Sequence, residues 1–491
     1  MASDLAFSIV CVWSFVSPIV GMPPFLSSRA QLLNDDSSYA TGSNVELKGK
    51  EWAVNDLLMM LKLEEISEGL KTSLYPPAVH FFQTKASIDK SGVFEIIRIM
   101  PKGAILHVHD DSLVDLSWLI RNVTYRPGCY MCFTRKRGNV IFKFHEKEPA
   151  ADEECDWKLV KTERSNYVDA DEFDNMLENN ISLIVEDPTN FYKNQYDVWS
   201  YFTDFFQSFR SLFSYSDVMQ DAYYEGLRQF HEDGAQFVEI RSALPPVYDL
   251  DGTTYDEEYT LGKLEEANIM FLDDYSDSMG SKVIYSRTNL LMRNYFYVYL
   301  CHCRDKDRVT MKSKIELAMT FYQKYPDFVS GFDIVKHENL YNPLLFYWEE
   351  LQMPSNTGVD LPYFFHASET NWQGSSADEN LFDAILLNAK RIGHAYGAVK
   401  HPVLLNELKK KDIPIEISPI SGQVLKHFYD LRNHPASHML SHGYPVVVSS
   451  DNRAAWGASP ASHDFYELFM GIASVKADLR LLKQLAMDSI R

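Results

Sequence analysis

The chain has 491 residues, 46% of them hydrophobic and 23% charged, with a formal net charge of −21. This is the composition of a soluble globular protein with enough apolar material for a large core. Its acidity excludes a nonspecific nucleic-acid binder, which needs a basic surface to neutralise phosphates.

Residues 1–21 read as a secretory signal peptide, with an apolar stretch from Leu5 to Val20 and the small Gly21 at the cleavage point. The stretch is short for a bilayer span and no later segment approaches 18 uninterrupted apolar residues, so the protein is expected to be extracellular, with no membrane span. Residues 22–97, as in "VNDLLMMLKLEEISEGL", carry Leu, Met, Glu and Lys at helical spacing. They predict helices whose apolar face is covered either by the main domain or by a second subunit.

"AILHVH", residues 104–109, predicts a buried strand, and "DDS" the loop after it. Residues two apart on a strand project the same way, so His107 and His109 share one direction at its carboxyl end. Two neutral imidazole nitrogens at fixed geometry suit a metal ion.

From 126 to 185 the texture changes to a Pro-Gly turn, the alternating "NVIFKF" and an acidic loop, which reads as an insertion. Asn122 in "NVT" and Asn180 in "NIS" are glycan acceptor sequons. Cys11 would leave with the signal peptide, so Cys129, Cys132, Cys155, Cys301 and Cys303 form an odd set with at least one unpaired member. One disulfide from the Cys129–Cys132 pair to Cys155 is expected, with Cys301 and Cys303 as free thiols.

Further strands are expected in "AQFVEIRSAL" (235–244), "KVIYSR" (282–287), "SGFDIV" (330–335), "PYFFHASE" (362–369), "RIGHAYG" (391–397), "PIEISPIS" (414–421) and "PVVVSSDN" (445–452). Eight strands separated by helix-length connectors predict an α/β fold, the (β/α)₈ TIM barrel, with its chemistry at the strands' carboxyl ends. His107, His109, His366 and Asp451 then converge from strands one, five and eight. Three imidazoles and a carboxylate suit zinc, with a position left for water.

"MPKGAILHVHDDS", "PYFFHASETNWQG", "RIGHAYG", "IEISPISGQVLKHFYDLRNHP" and "PVVVSSDNRAAWGA" resemble the adenosine deaminase family, and within it the secreted adenosine deaminase-related growth factors. The likeness implies a metal-dependent hydrolase barrel over 98–125 and 186–491, a dimerisation region over 22–97 and hence a homodimer. It also implies that the insertion, 126–185, binds a cell-surface receptor or glycan and carries a Cys132–Cys155 disulfide. One Zn²⁺ per chain would be held by His107, His109, His366 and Asp451. Glu369 would give a proton to purine N1, kept neutral by burial against the base, and His394 would orient the water and take up its proton. Asp111, Trp199, Gly331 and Asn452 would contact substrate. The implied reaction converts adenosine, or 2′-deoxyadenosine, to the inosine product and ammonia.

The chain departs from the family pattern at several positions. Asn452 stands where a second aspartate is usual, Ser368, Ala395 and Lys336 where glycine is usual, and Arg453 where proline is usual. An Asn amide can still donate to purine N7, but each lost glycine threatens to displace a catalytic side chain, and ~1 Å can cost about 10²-fold in rate. Two other readings follow: a catalytically weakened, growth-factor-like receptor-binding paralogue, and a barrel amidohydrolase with two metals bridged by a carboxylated lysine near Lys336. Glu369 and "RIGHAYG" argue against the latter.

Overall fold

The computed structural model describes residues 24–279 and 296–491. The expected signal peptide, Cys11 and the strand expected at 282–287 lie outside the described residues. The barrel strands are β1 (Gly103–His109), β2 (Ala235–Ser242), β3 (Phe296–Cys303), β4 (Val329–Val335), β5 (His366–Ala367), β6 (Ile392–His394), β7 (Ile415–Ile417) and β8 (Val446–Val448). Among the described residues the third strand is "FYVYLCHC": it pairs in parallel with β2 from Val238↔Phe296 onward and with β4 on its other side. Aromatic and branched residues there suit a pleated sheet.

All neighbouring strands run parallel, in sequence order, as two sheets, β1–β4 and β5–β8. Backbone bridges join the two halves at both seams. Phe332 N–H donates to Pro362 O (2.9 Å) and Phe364 N–H to Phe332 O (3.1 Å), linking β4 to the approach to β5. Asp451 N–H donates to His107 O (3.0 Å) and His109 N–H to Asp451 O (3.4 Å), linking the end of β8 to β1. Strands β5 and β6 end where the backbone turns left-handed, at Ser368 (φ 61°) and His394 (64°), which breaks an extended ladder; Asp451, past β8, also has positive φ (53°). At the opposite end, β1 begins at Gly103 (φ 73°), where a Cβ would lie 2.2 Å from Ala486 O of the C-terminal helix.

The predicted helices before the barrel are α1 (Pro24–Ser38), α2 (Glu51–Thr72), α3 (Phe81–Ile88) and α4 (Gly92–Ile99). Lys62 of α2 is buried and its Nζ donates to Ser474 O (3.1 Å) and Ala477 O (2.9 Å), which fixes α2 to the last part of the barrel. The same helix leaves Trp52, Leu57 and Met60 exposed. No helix among the described residues is long and apolar enough to cross a membrane.

Within 126–185, strand Cys129–Phe133 pairs antiparallel with Val140–Phe144 and Lys158–Leu159, and helices Val160–Ser165 and Ala170–Ile181 follow. Cys132 and Cys155 form a disulfide, while Cys129, Cys301 and Cys303 are free thiols. This small sheet is packed onto the barrel: Phe142 N–H donates to Ser211 Oγ (2.8 Å) of α5 (Gln195–Phe213) and Phe144 N–H to Tyr248 Oη (3.0 Å). The bridge closes a separation of 23 residues. Replacing both cysteines by serine is expected to destabilise the insertion by about 3 kcal/mol in the chain-entropy picture, read as earlier proteolytic cleavage within 126–185; cleavage at the wild-type rate would contradict this.

Candidate active site

His107 and His109 close β1, His366 opens β5, His394 closes β6 and Asp451 lies just past β8. Their side chains meet. Ring centroids lie 4.6 Å apart for His107–His366, 5.4 Å for His107–His109 and 5.0 Å for His107–His394. Asp451 Oδ1 is 3.3 Å from His109 Nε2 and 3.7 Å from His107 Nε2. One ligand atom from each of His107, His109 and His366 falls within 4.8 Å of the others, and the same holds for His107, His394 and Asp451.

The donor chemistry fits a divalent cation. His107 Nδ1–H donates to Glu416 Oε2 (2.9 Å) and His366 Nδ1–H to Asp333 Oδ2 (2.7 Å), which fixes both tautomers and leaves each Nε2 lone pair for the cluster. His107 Nε2 is buried and has no hydrogen-bond partner, as a metal-facing nitrogen should be. Serine and amide groups orient the carboxylate: Ser421 Oγ donates to Asp451 Oδ2 and Asn452 Nδ2 to Asp451 Oδ1, each at 2.6 Å.

Both imidazole-bound carboxylates are tied to one guanidinium. Arg241, with 0% exposure, donates through Nε to Asp333 Oδ2 (2.7 Å), through one terminal nitrogen to Glu416 Oε2 (2.7 Å), and to the carbonyls of Leu106 (3.0 Å) and Phe364 (3.2 Å). Arg391 Nε adds a second bond to Glu416 Oε1 (2.8 Å), and Arg391 and Tyr299 both reach Glu239. Burial alone would push Asp333 up; His366 and Arg241 hold it far below the usual carboxylate range. Sequence reasoning missed Arg241, Asp333 and Glu416. Their signal was charge inside an otherwise apolar parallel strand, a Glu239–Arg241 pair in "EIR" and single carboxylates in "FDI" and "IEI".

Across the cluster, Glu369 Oε1 is buried, without a well-formed hydrogen bond, 3.9 Å from His394 Nε2 and 3.4 Å from His427 Nε2. His394 Nε2 in turn is 3.9 Å from Asp451 Oδ2, and Tyr396 Oη is 3.2 Å from His394 Nδ1. Backbone N–H groups of Ser368 (3.2 Å) and Glu369 (3.0 Å) donate to the buried Glu338 carboxylate, which anchors the turn carrying Glu369. Burial pushes the Glu369 carboxyl up, but the imidazoles of His394, His427 and His366 more than reverse this and hold it at about 2.

The expected substrate contacts divide. Asp111 is buried and accepts from Arg210 Nε (2.6 Å). Trp199 packs on His337, with ring centroids 4.7 Å apart, and its buried Nε1 has no partner. Asn452 is buried beside Asp451, with one amide hydrogen committed to it and Oδ1 unpartnered. Gly331 is different: it sits within β4 where a Cβ would meet Pro362 O at 2.4 Å and the Phe364 ring at 2.6 Å. Its smallness serves strand packing, and the unusual backbone at the mouth of β4 is at Lys336 (φ 94°). The Lys336 ammonium pairs with Asp305 (2.5 Å) and covers the Tyr341 ring (4.6 Å), which contradicts a role as a bridging carboxylated lysine. Lys336, Ser368 and Ala395 (φ 46°) keep the left-handed backbone that glycine adopts without strain, so at these positions the chain bears that cost and retains the turns.

Fold and site together define a barrel hydrolase with imidazoles and carboxylates gathered at its strand ends. The profile of the adenosine deaminase family matches residues 171–490, and that of the adenosine/AMP deaminase N-terminal region residues 22–97. The chain is 43% identical over 465 residues to adenosine deaminase 2 of Homo sapiens, covering 94% of this chain and 88% of that one. It is 40% identical over 464 residues to adenosine deaminase 2-A of Danio rerio, with the same coverage. In fold it superposes on an Arabidopsis N6-mAMP deaminase with a TM-score of 0.50 at 15% identity, over 80% of this chain and 93% of that one. The chain belongs to the adenosine deaminase family and is a hydrolytic deaminase.

Arg241→Met would leave two buried carboxylates without their cation. It is expected to cost about 3–5 kcal/mol and to weaken divalent-cation affinity about 10–100-fold through loss of support for the histidines, measured by denaturant unfolding and metal titration. Wild-type metal affinity in a folded variant would contradict the assigned role of the guanidinium.

Proposed function

We propose that the protein is a secreted, zinc-dependent adenosine deaminase that hydrolyses adenosine and 2′-deoxyadenosine to the inosine product and ammonia. The observation that carries this reading is the line of Glu369 Oε1, His394 Nε2 and Asp451 Oδ2 at successive 3.9 Å separations, buried next to the partnerless Nε2 of His107. His107, His109, His366 and Asp451 would hold one Zn²⁺, which when bound supplies acidified water, its pKa lowered toward ~7.

The other steps belong to side chains. Glu369 faces purine N1; as the apolar base displaces water, desolvation favours the neutral form of the carboxyl, which delivers its proton there. His394 Nε2 takes the proton of the attacking water. Trp199 walls the pocket, Asp111 orients the ribose 5′-hydroxyl, and the second Asn452 amide hydrogen meets N7.

Secretion is supported by the apolar N-terminal stretch and the Cys132–Cys155 disulfide. Asn122 and Asn180 are both exposed, although Asn180 Oδ1 already accepts from Val140 N–H (2.8 Å). The exposed Trp52, Leu57 and Met60 of α2 support a homodimer through the N-terminal helices, and the disulfide-bearing sheet is the surface we assign to a receptor or glycan.

Adenosine turnover followed by the loss of absorbance near ~265 nm is expected for wild type, with Glu369→Gln losing ~10²-fold or more. Removal of divalent ions should abolish turnover and zinc should restore it. The strained Lys336, Ser368 and Ala395 and the substituted Asn452 favour a second reading, a growth-factor-like protein with little turnover. A folded, inert wild type whose Asn452→Asp variant gains activity would establish that alternative instead.

A further inference from the structure

We infer that His427 is a positioning residue for Glu369, held in a single tautomer by Gln195; the inference rests on the deaminase reading of this site. His427 lies just beyond helix Pro419–Val424, which follows β7, and its ring is buried. Its backbone is fixed from two sides: its N–H donates to Gly422 O (2.8 Å) and its carbonyl accepts from Asn371 Nδ2 (2.9 Å). The ring also packs on Tyr396, with centroids 5.1 Å apart, and Tyr396 reaches His394 on its other side.

Hydrogen-bond chemistry then assigns the two ring nitrogens. The Gln195 amide nitrogen lies 3.1 Å from the ring's nitrogens, and an amide N–H only donates, so the nitrogen it engages must be bare. Nε2 faces the Glu369 carboxylate at 3.4 Å, which only accepts. Both demands are met by one arrangement: Gln195 donates to Nδ1, and Nε2–H points at Glu369 Oε1. Catalytic hydrogen bonds that are long in a free site shorten when substrate fills it. Gln195 opens α5, four residues before Trp199, so the helix that presents the pocket's indole also sets this imidazole.

The arrangement repeats the logic of an oriented catalytic group: Glu369 acts, His427 aims it, and Gln195 fixes His427. His427→Leu would fill the same space but give Glu369 no donor. It is expected to lower kcat on adenosine about 10-fold with little change in KM, as for an interaction made in the transition state. His427→Asn, which keeps an N–H donor, should recover most of that loss, and Gln195→Leu should fall between His427→Leu and wild type. Independently of turnover, ¹⁵N-histidine spectra, with His427 assigned by its disappearance in His427→Asn, should show Nε2 protonated and Nδ1 bare. Wild-type kcat in His427→Leu, a loss that His427→Asn does not relieve, or a bare Nε2 would each overturn the inference. An inert wild type would remove the deaminase reading, and the nitrogen assignment would still decide whether Gln195 and Glu369 hold His427 as described.

Discussion

The site depends on one buried guanidinium. His107 on β1 and His366 on β5 come from opposite halves of the barrel, and each is aimed by a carboxylate, Glu416 from β7 and Asp333 from β4. Arg241 on β2 joins those two carboxylates and so sets two imidazoles relative to one another. A buried cation with two anions stabilises the fold only when every hydrogen bond is made, and here the guanidinium also satisfies two strand carbonyls. Its main contribution is geometric: it fixes tautomers and ring directions before any ligand arrives, which is what a preorganised centre needs.

Around that clamp the chain accepts local strain. His394, Ala395, Ser368 and Asp451 adopt positive φ at the ends of their strands, each next to or part of the cluster. Such conformations cost on the order of 1–3 kcal/mol each and persist where the surroundings over-determine them. Ser368 is an example: its hydroxyl donates to Asp378 (2.9 Å) and its N–H to Glu338, so the turn that delivers Glu369 is held by its neighbours although glycine is absent. The seam between β8 and β1 is reinforced similarly, since the buried Arg453 donates to Leu113 O (2.7 Å) and Ala454 N–H to Ser112 Oγ (3.0 Å). The arginine that replaces a proline thus bolts the Asp451 loop to the loop after His109.

Much of this was legible from residues. The strand ending in His107 and His109 and the later runs ending at Glu369, His394 and Asp451 each combine a short apolar segment with polar residues at its carboxyl end, and a barrel brings such ends together. The third strand was less legible, because "FYVYLCHC" ends in cysteines and histidine and lacks a turn signal of the usual kind. A glycine in a motif does not reveal whether its missing side chain makes room for a ligand or for a neighbouring strand; at Gly331 the Phe364 ring occupies the place a Cβ would take. The network of Arg241, Glu416 and Asp333, and the approach of His427 to Glu369, depend on strand order and on loops far apart in sequence. Periodicity does not carry that information.

The site is proposed to hold a single cation between groups from β1, β5 and the end of β8. Metal analysis of purified protein, dialysed against metal-free buffer, tests this proposal most directly: about one zinc per chain is predicted, with near-complete loss in a folded His107→Ala/His109→Ala protein. Wild-type protein free of transition metal, or a double variant that retains its full zinc content, would contradict it.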